Sequence, residues 1–359
     1  MNAPLRLSPA PAAAEVAPLV RFSDVRKTYE SRAGATRVAL DGVSFDLAEG
    51  EILAIIGPSG SGKSTVAQLA AGLEAPCGGT VAFGGADYEA AGARVRRGVA
   101  VLGADPDLPD DRTVRQILSE RHEASCAAGQ PTAAAVDRLI DLLDLSDDAD
   151  RDAEELSDGG RRRAALGRAL ACSPRLLILD EATSALDPAI VETFLATLSR
   201  VNAETRISII VISHDMGPVT TLAPRVIVLD DGRIVEEGPT ARVFARPEHP
   251  VSRRFAAAAT GATLPPFIAG RLIEAPRPNG RALIRLAFEG EAATRPVLTS
   301  VARDLGFDFG IVAGSLGAAG GAPYGVLIIA APSDEPYFTA SVERLEDAGV
   351  GVEVLGFMG

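Results

Sequence analysis

At 359 residues the chain is too long for one small module and has room for two or three domains with cores of their own. Its 47% hydrophobic and 23% charged residues exclude intrinsic disorder and fibrous repeats. Against 48 acidic residues stand only 35 basic ones, and a net charge of −13 excludes a grip on nucleic acid through bulk positive charge.

Residues 1–19 are rich in Ala and Pro, carry Glu15 and lack a continuous apolar stretch, so they are expected to form a disordered leader and not a secretion signal. The apolar runs further on are strand-length, far short of the roughly 20 residues that cross a bilayer, and any membrane role is therefore peripheral. Cys77, Cys126 and Cys172 have neither metal-binding spacing nor an even count; they are expected to be buried, inert thiols in a reducing cytoplasm.

From Val20 to Phe255 short apolar runs alternate with helix-like stretches, which predicts one large α/β domain with a parallel or mixed sheet. The apolar strand Ile52–Ile56 runs into GPSGSGKST (Gly57, Pro58, Ser59, Gly60, Ser61, Gly62, Lys63, Ser64, Thr65) and then a helix, the setting of a phosphate-binding loop. There the glycines let successive N–H groups curl around phosphates, Lys63 reaches the β and γ groups, and the Ser64 hydroxyl is placed to ligate Mg²⁺. Of the 35 basic residues only Lys27 and Lys63 are lysines, so a compact ammonium stands in the loop of a chain that otherwise uses arginine. A second buried strand, in RLLILDE (Arg175–Glu181), ends in two carboxylates, Asp180 for the Mg²⁺ shell and Glu181 for an attacking water. A third, Ile207–Ile212, delivers Ser213 and His214 to the same sheet edge.

Residues 256–280, rich in Ala, Pro and Gly, are expected to be a linker. After it come a strand at Ala282–Phe288, a helix around Val297, Val301 and Leu305, strands at Phe309–Leu316 and Tyr324–Ala330, a helix through Phe338, Val342 and Leu345, and a strand at Gly351–Gly356. Residues 281–357 thus form a small α+β domain in ferredoxin-like order, β-α-β-β-α-β.

Tyr29, the phosphate loop, ELSDGGRRRAALGRAL, LLILDEATSALD and VISHD, taken in that order, resemble the ATP-binding subunit of an ABC transporter over residues 20–255. The resemblance implies a P-loop NTPase domain with a mixed sheet and a helical subdomain. It also implies ATP with Mg²⁺, Tyr29 stacked on adenine, Glu181 as general base, His214 on the γ-phosphate, and a head-to-tail homodimer in which Ser157, Gly159, Gly160 and Asp187 serve the partner's nucleotide. Two positions depart from the family. Asp158 stands where LSGGQ has its first glycine, placing like charge against phosphate, and Ala104 stands where a glutamine helps hold Mg²⁺. Arg161, Arg162 and Arg163 either offset that charge or form a solvated basic face. The tail, with PEHPVSRRF before it, resembles the NIL-type regulatory domain of methionine-importer ATPases. That resemblance implies a permease and an external binding protein as partners, a place on the cytoplasmic face of the membrane, and feedback by methionine. Where the tail's name motif has Asn-Ile-Leu, this chain has Gly310, Ile311 and Val312, so the alternative is a dimerising clip. Other cargo, or a weakly hydrolysing nucleotide-bound subunit, are the alternatives for the whole chain.

Overall fold

A computed structural model describes residues 17–30, 36–88, 92–105, 107–125, 132–184 and 186–358. The antiparallel pair β1 (Val20–Glu30) and β2 (Thr36–Leu47) precedes β3 (Ile52–Ile56), which leads through the glycine-rich loop into α1 (Lys63–Ala70). Next come β4 (Gly78–Phe83), β5 (Ala86–Asp87), α2 (Ala93–Gly98) and β6 (Val99–Leu102), then three helices, α3 (Val114–Ser125), α4 (Thr132–Leu142) and α5 (Asp158–Leu170). β7 (Leu176–Asp180), α6 (Pro188–Thr205), β8 (Ser208–Ile212), α7 (Met216–Leu222), β9 (Arg225–Asp230) and β10 (Arg233–Pro239) complete the sheets of this domain. Helices α8 (Thr240–Ala245), α9 (Pro250–Thr260) and α10 (Pro266–Ala269) lead to the tail.

The central sheet has the order β10-β9-β3-β8-β7-β6; β6 to β9 pair in parallel with one another and with β3, and β10 closes one edge antiparallel. β3, β7 and β8 are apolar at nearly every position because both faces are covered, as a parallel sheet requires. Their residues divide with period two. Leu53, Ile55, Ile178 and Ile210 face a core shared with α1 and the antiparallel sheet, where Phe22 and Phe45 stack at 4.5 Å. Ala54, Leu177, Ile209 and Val211 face the opposite core with Ile117, Leu166 and Leu198 of the helices. Both cores pull the strands into one layer whose carboxyl edge collects the loops.

The tail is built of β11 (Arg281–Glu289), α11 (Val297–Leu305), β12 (Gly310–Ala319), β13 (Ala322–Pro332), α12 (Tyr337–Asp347) and β14 (Gly351–Met358), with an antiparallel sheet ordered β12-β13-β11-β14. Ala282, Ile284, Leu286 and Phe288 pack on Val297, Val301 and Leu345 of the tail's own helices. The alternate residues look the other way. Ala287, Ala319 and Tyr324 join the larger core of the first domain, with Tyr324 and Phe244 rings 6.2 Å apart, and an Arg285 amine donates to the Ala245 carbonyl at 2.9 Å. The β12–β13 tip rests on α7, where the Gly320 N–H donates to the Thr220 carbonyl at 2.9 Å.

Several expectations change. Leu19, assigned to the leader, is buried against β1, while residues 1–16 lie outside the described residues. The helix that starts at Pro250 continues to Thr260, past Phe255, and α10 forms inside the segment read as a linker. Ala-rich composition is as compatible with a packed helix as with a connector, and the tail's sheet supplies the surface to pack on. Cys77 is exposed and Cys172 half-buried, so the expectation of buried thiols fails for both; Cys126 lies outside the described residues.

At Gly320 φ is +54°, and a Cβ there falls 2.4 Å from Pro224 Cα. Gly320→Ala is expected to cost about 1–3 kcal/mol through overlap and backbone strain, read as a lower melting temperature by calorimetry. An unchanged value would show that the tip does not bear on Pro224.

Candidate functional site

Three parallel strands end side by side, and the expected site residues follow directly from their ends. After β3, the Gly57 backbone passes so close to β9 that a Cβ would lie 2.2 Å from the Leu229 carbonyl oxygen and 2.6 Å from Ser61 Oγ, which leaves room only for glycine. Lys63 opens α1 with 9% exposure, and its Nζ donates to the carbonyls of Gly57 at 2.7 Å and Pro58 at 2.9 Å, closing the loop around the ammonium. Burial lowers the Lys63 pKa, with the charges of Glu181 and Asp180 opposing. Ser61 Oγ is buried without a hydrogen-bond partner, an orphan donor at the centre of the loop. Pro58 and Gly62 are half-buried and Thr65 is buried, whereas Ser59, Gly60 and Ser64 are exposed, so the Ser64 hydroxyl is open to a ligand. The first N–H groups of α1 have no partner within the helix, and a backbone anion site results.

Asp180 ends β7 half-buried. Desolvation raises its pKa, the neighbouring Glu181 adds to the rise, and Lys63 opposes it. Glu181 takes a left-handed conformation, φ +55°, fixed by its N–H on the Ile212 carbonyl at 3.0 Å and by its own carbonyl accepting from the Ser184 N–H at 3.0 Å. That bend turns its carboxylate to His214, whose Nδ1 is 2.6 Å from Glu181 Oε2. Base and γ-phosphate ligand, expected as separate contributors, are therefore joined. His214 keeps 68% side-chain exposure, leaving its far nitrogen to solvent. The pair borders a crevice of about 710 Å³ lined also by Ser184, Leu186, Pro188 and Ser213.

The signature segment opens α5. Ser157 caps α5 by accepting from the Gly160 N–H at 3.1 Å, and exposed Asp158 in the first turn suits the helix dipole. Asp187 caps α6, accepting from the Ala189 N–H at 2.9 Å. Gly159 borders the same shallow groove, about 340 Å³, as Ala189 and Ile190. Ser157 and Gly159 border this groove and not the crevice of Glu181 and His214, whereas Asp187 lies in the chain between Leu186 and Pro188, which line that crevice.

For two of the three arginines neither reading of the run holds. Arg161 spans to the Ala153 carbonyl and the Asp110 carboxylate, at 2.7 and 2.9 Å. Arg162, 2% exposed, turns into the core and donates to the carbonyls of Gly103, at 2.7 Å, and Ala104. The position where a glutamine side chain was expected is thus tied by its backbone to α5.

Tyr29 donates its hydroxyl to Glu74 at 2.8 Å, and Glu74 pairs with Lys27 at 2.8 Å. Lys27, Glu74, and Arg37, which donates to the Gly60 carbonyl at 3.1 Å, were missed. The rarity of lysine was a signal for Lys27; nothing in the pattern marked the other two.

Residues 40–184 match the ABC transporter family and residues 282–354 the NIL domain. Fold and site together define the ATP-binding cassette of an ABC transporter. The chain is 39% identical over 349 residues to the methionine import ATP-binding protein MetN of Cereibacter sphaeroides, spanning 95% of this chain and 97% of that one. It is 38% identical over 347 residues to the protein of the same name from Rhodopseudomonas palustris, spanning 94% and 93%. The chain belongs to this family of methionine import ATP-binding proteins. Among solved structures, a dimeric ATP-binding cassette in a post-hydrolysis state bound to ADP and Pi is 26% identical with a TM-score of 0.55, over 61% of this chain and 98% of that one. A Clostridium perfringens protein, part of an ABC transporter complex, is 28% identical with a TM-score of 0.58, over 64% and 92%.

A carboxyl whose folded pKa is raised favours the fold below the ordinary aspartate range and loses that contribution as pH rises through the raised value. Without nucleotide, Asp180→Asn is therefore expected to melt above the parent at about pH 7.5, the gain shrinking toward about pH 4. Thermal melts across that range check it; a lower melting temperature at neutral pH contradicts the desolvation.

Proposed function

We propose that the chain is the ATP-hydrolysing subunit of an ABC importer that energises uptake of D- or L-methionine across the cytoplasmic membrane. The observation that carries this reading is the gathering of the phosphate loop, Asp180, Glu181 and His214 at one sheet edge, in a chain whose likeness to methionine-import proteins extends through the tail.

Tyr29 takes the adenine, the amides of Gly57–Thr65 with Lys63 take the β and γ phosphates, and Ser61 Oγ gains in ATP the partner it lacks. Mg²⁺ fits Ser64 and Asp180, since it asks for one or two protein oxygens beside phosphates and water, and Asp180 is a desolvated carboxylate in want of a cation. When bound it neutralises charge on the phosphate oxygens. His214 holds Glu181 through Nδ1, so the carboxylate points at the water that attacks the γ-phosphorus. The proton passes to Glu181, the bond to the β-phosphate oxygen breaks, and ADP and phosphate leave.

One phosphate loop per chain makes a homodimer the working unit, with Ser157, Gly159, Gly160 and Asp187 of the partner subunit closing each site. Residues 20–255 act as the ATPase domain and 281–357 as the regulatory tail. A permease, an external binding protein, and methionine as feedback ligand complete the system on the cytoplasmic face. Among the described residues no helix is long and apolar enough to cross a membrane, which suits a peripheral subunit. A weakly hydrolysing nucleotide-bound subunit is the second reading, favoured by the carboxylate of Asp158 exposed where phosphate must approach.

Glu181→Gln is expected to lower steady-state phosphate release by about 10²–10⁴-fold while ATP still binds. A parent no faster than this variant, permease present, overturns hydrolysis and leaves the second reading. Lys63→Ala is expected to weaken ATP binding at least about tenfold, measured by titration with labelled nucleotide. Asp158→Gly is expected to raise the dimer fraction at saturating ATP, read by light scattering; no gain means that Asp158 points away from the phosphate.

A further inference from the structure

The turn between α1 and β4 brings a second group of charges to the ATPase domain, beside Tyr29 and apart from the phosphate loop. Lys27 of β1 and Glu74 of that turn pair at 2.8 Å, with side chains only 14% and 28% exposed. Lys27 Nζ also donates to the Ala75 carbonyl at 2.8 Å, and the Cys77 N–H donates to the Arg26 carbonyl at the same distance, so side chain and backbone both fasten the turn to β1. The Tyr29 hydroxyl donates to Glu74 Oε2 at 2.8 Å and lies 3.3 Å from Gln68 Oε1 of α1, and the side chain of Thr65, last residue of the phosphate loop, bonds to it as well. The register of β1 on β2 slips between Lys27 and Thr28, and at the slip the Ala39 carbonyl packs on Gly62, where a Cβ would lie 2.6 Å away. This end of the antiparallel sheet is thus pressed onto the phosphate loop.

An exposed ion pair contributes little, but this one is partly buried and shares an atom with a third group. Glu74 Oε2 accepts from both Lys27 and Tyr29. The bond to Glu74 raises the Lys27 pKa and the bond to Lys27 lowers that of Glu74, so both stay charged at neutral pH. Burial raises the Tyr29 pKa, which keeps its hydroxyl a donor. Lys27 Nζ lies over the Tyr29 ring, 5.3 Å from its centroid. A cation on one face of a ring draws electron density toward itself, which favours an electron-rich base on the other.

The structure assigns Lys27 and Glu74 a part in holding the nucleotide base: they are positioning residues that lock the Tyr29 ring, with the ammonium behind it and the opposite face left for the base. A free tyrosine loses the freedom of two side-chain torsions at each binding event; a locked one is a preformed platform. The chain's two lysines then serve opposite ends of one nucleotide, Lys63 the phosphates and Lys27 the base. The lock rests on the reading of Tyr29 as the adenine platform.

The test measures binding of ATP and of inorganic tripolyphosphate, each with Mg²⁺, by displacement of labelled ATP from the full chain. Tripolyphosphate has the phosphates and lacks the base. Lys27→Met and Glu74→Ala are each expected to weaken ATP by about tenfold, the scale of one base stacked on an aromatic ring, with tripolyphosphate within about twofold of the parent. Lys27→Arg keeps the cation and its pair, and is expected to bind ATP within about threefold of the parent. Melting temperatures without nucleotide show that the variants fold. Three results overturn the lock: ATP affinity unchanged in either Lys27→Met or Glu74→Ala, an equal loss for ATP and tripolyphosphate, or Lys27→Arg as weak as Lys27→Met. Tyr29→Ala tests the reading beneath it. If that variant binds ATP weakly while Lys27→Met and Glu74→Ala match the parent, the lock alone fails; if it binds ATP like the parent, the adenine platform fails and the lock with it.

Discussion

Lys63 and Asp180 carry opposite charges into partly desolvated positions at the carboxyl edge of one parallel sheet, and the rest of the site is arranged around that constraint. Neither charge is balanced by the protein alone. Lys63 is left to bond two carbonyls of its own loop, Asp180 keeps a raised pKa, and Ser61 Oγ has no partner. Such an edge is held in place because β3, β7 and β8 are packed on both faces by apolar side chains, which fixes where each strand ends. Stability spent on unsatisfied groups is what a bound nucleotide returns.

Asp158 and Ala104 show how one structure answers two demands. A carboxylate in the first turn of α5 stabilises that helix through its dipole and opposes an anion brought to the same end. Ala104 offers no side-chain amide, yet its carbonyl is held by Arg162 from within the core, which ties the loop after β6 to the signature helix. The tie there runs through backbone carbonyls and a buried guanidinium.

The tail is less an appendage than a second layer on the ATPase domain. One face of its sheet is covered by α11 and α12, the other by α8 and α9, and Ala287, Ala319 and Tyr324 count in the larger core. The β12–β13 tip extends that layer as far as α7, through the Gly320 N–H on the Thr220 carbonyl.

Local motifs were readable from the chain alone. Strand, glycine loop and helix at 52–70 are contiguous, so each element predicts the next, and the β-α-β-β-α-β order of the tail follows from alternation and helical spacing within short windows. Glu181 and His214 were each marked by the strand before them, but their contact spans 33 positions and depends on β7 pairing with β8. Arg162 sits in a run of three arginines whose sequence fits either an offset to Asp158 or a solvated face, and only the loop after β6, brought over α5, gives a buried guanidinium its acceptors. Cys77, expected to be buried, is exposed in the turn just ahead of β4. The sequence by itself determined the chemistry at each strand end, because those groups are neighbours along the chain. The tertiary structure alone decided which distant groups meet, Arg285 with the Ala245 carbonyl at the seam as Glu181 with His214 at the site, since register and packing set distances that spacing does not encode.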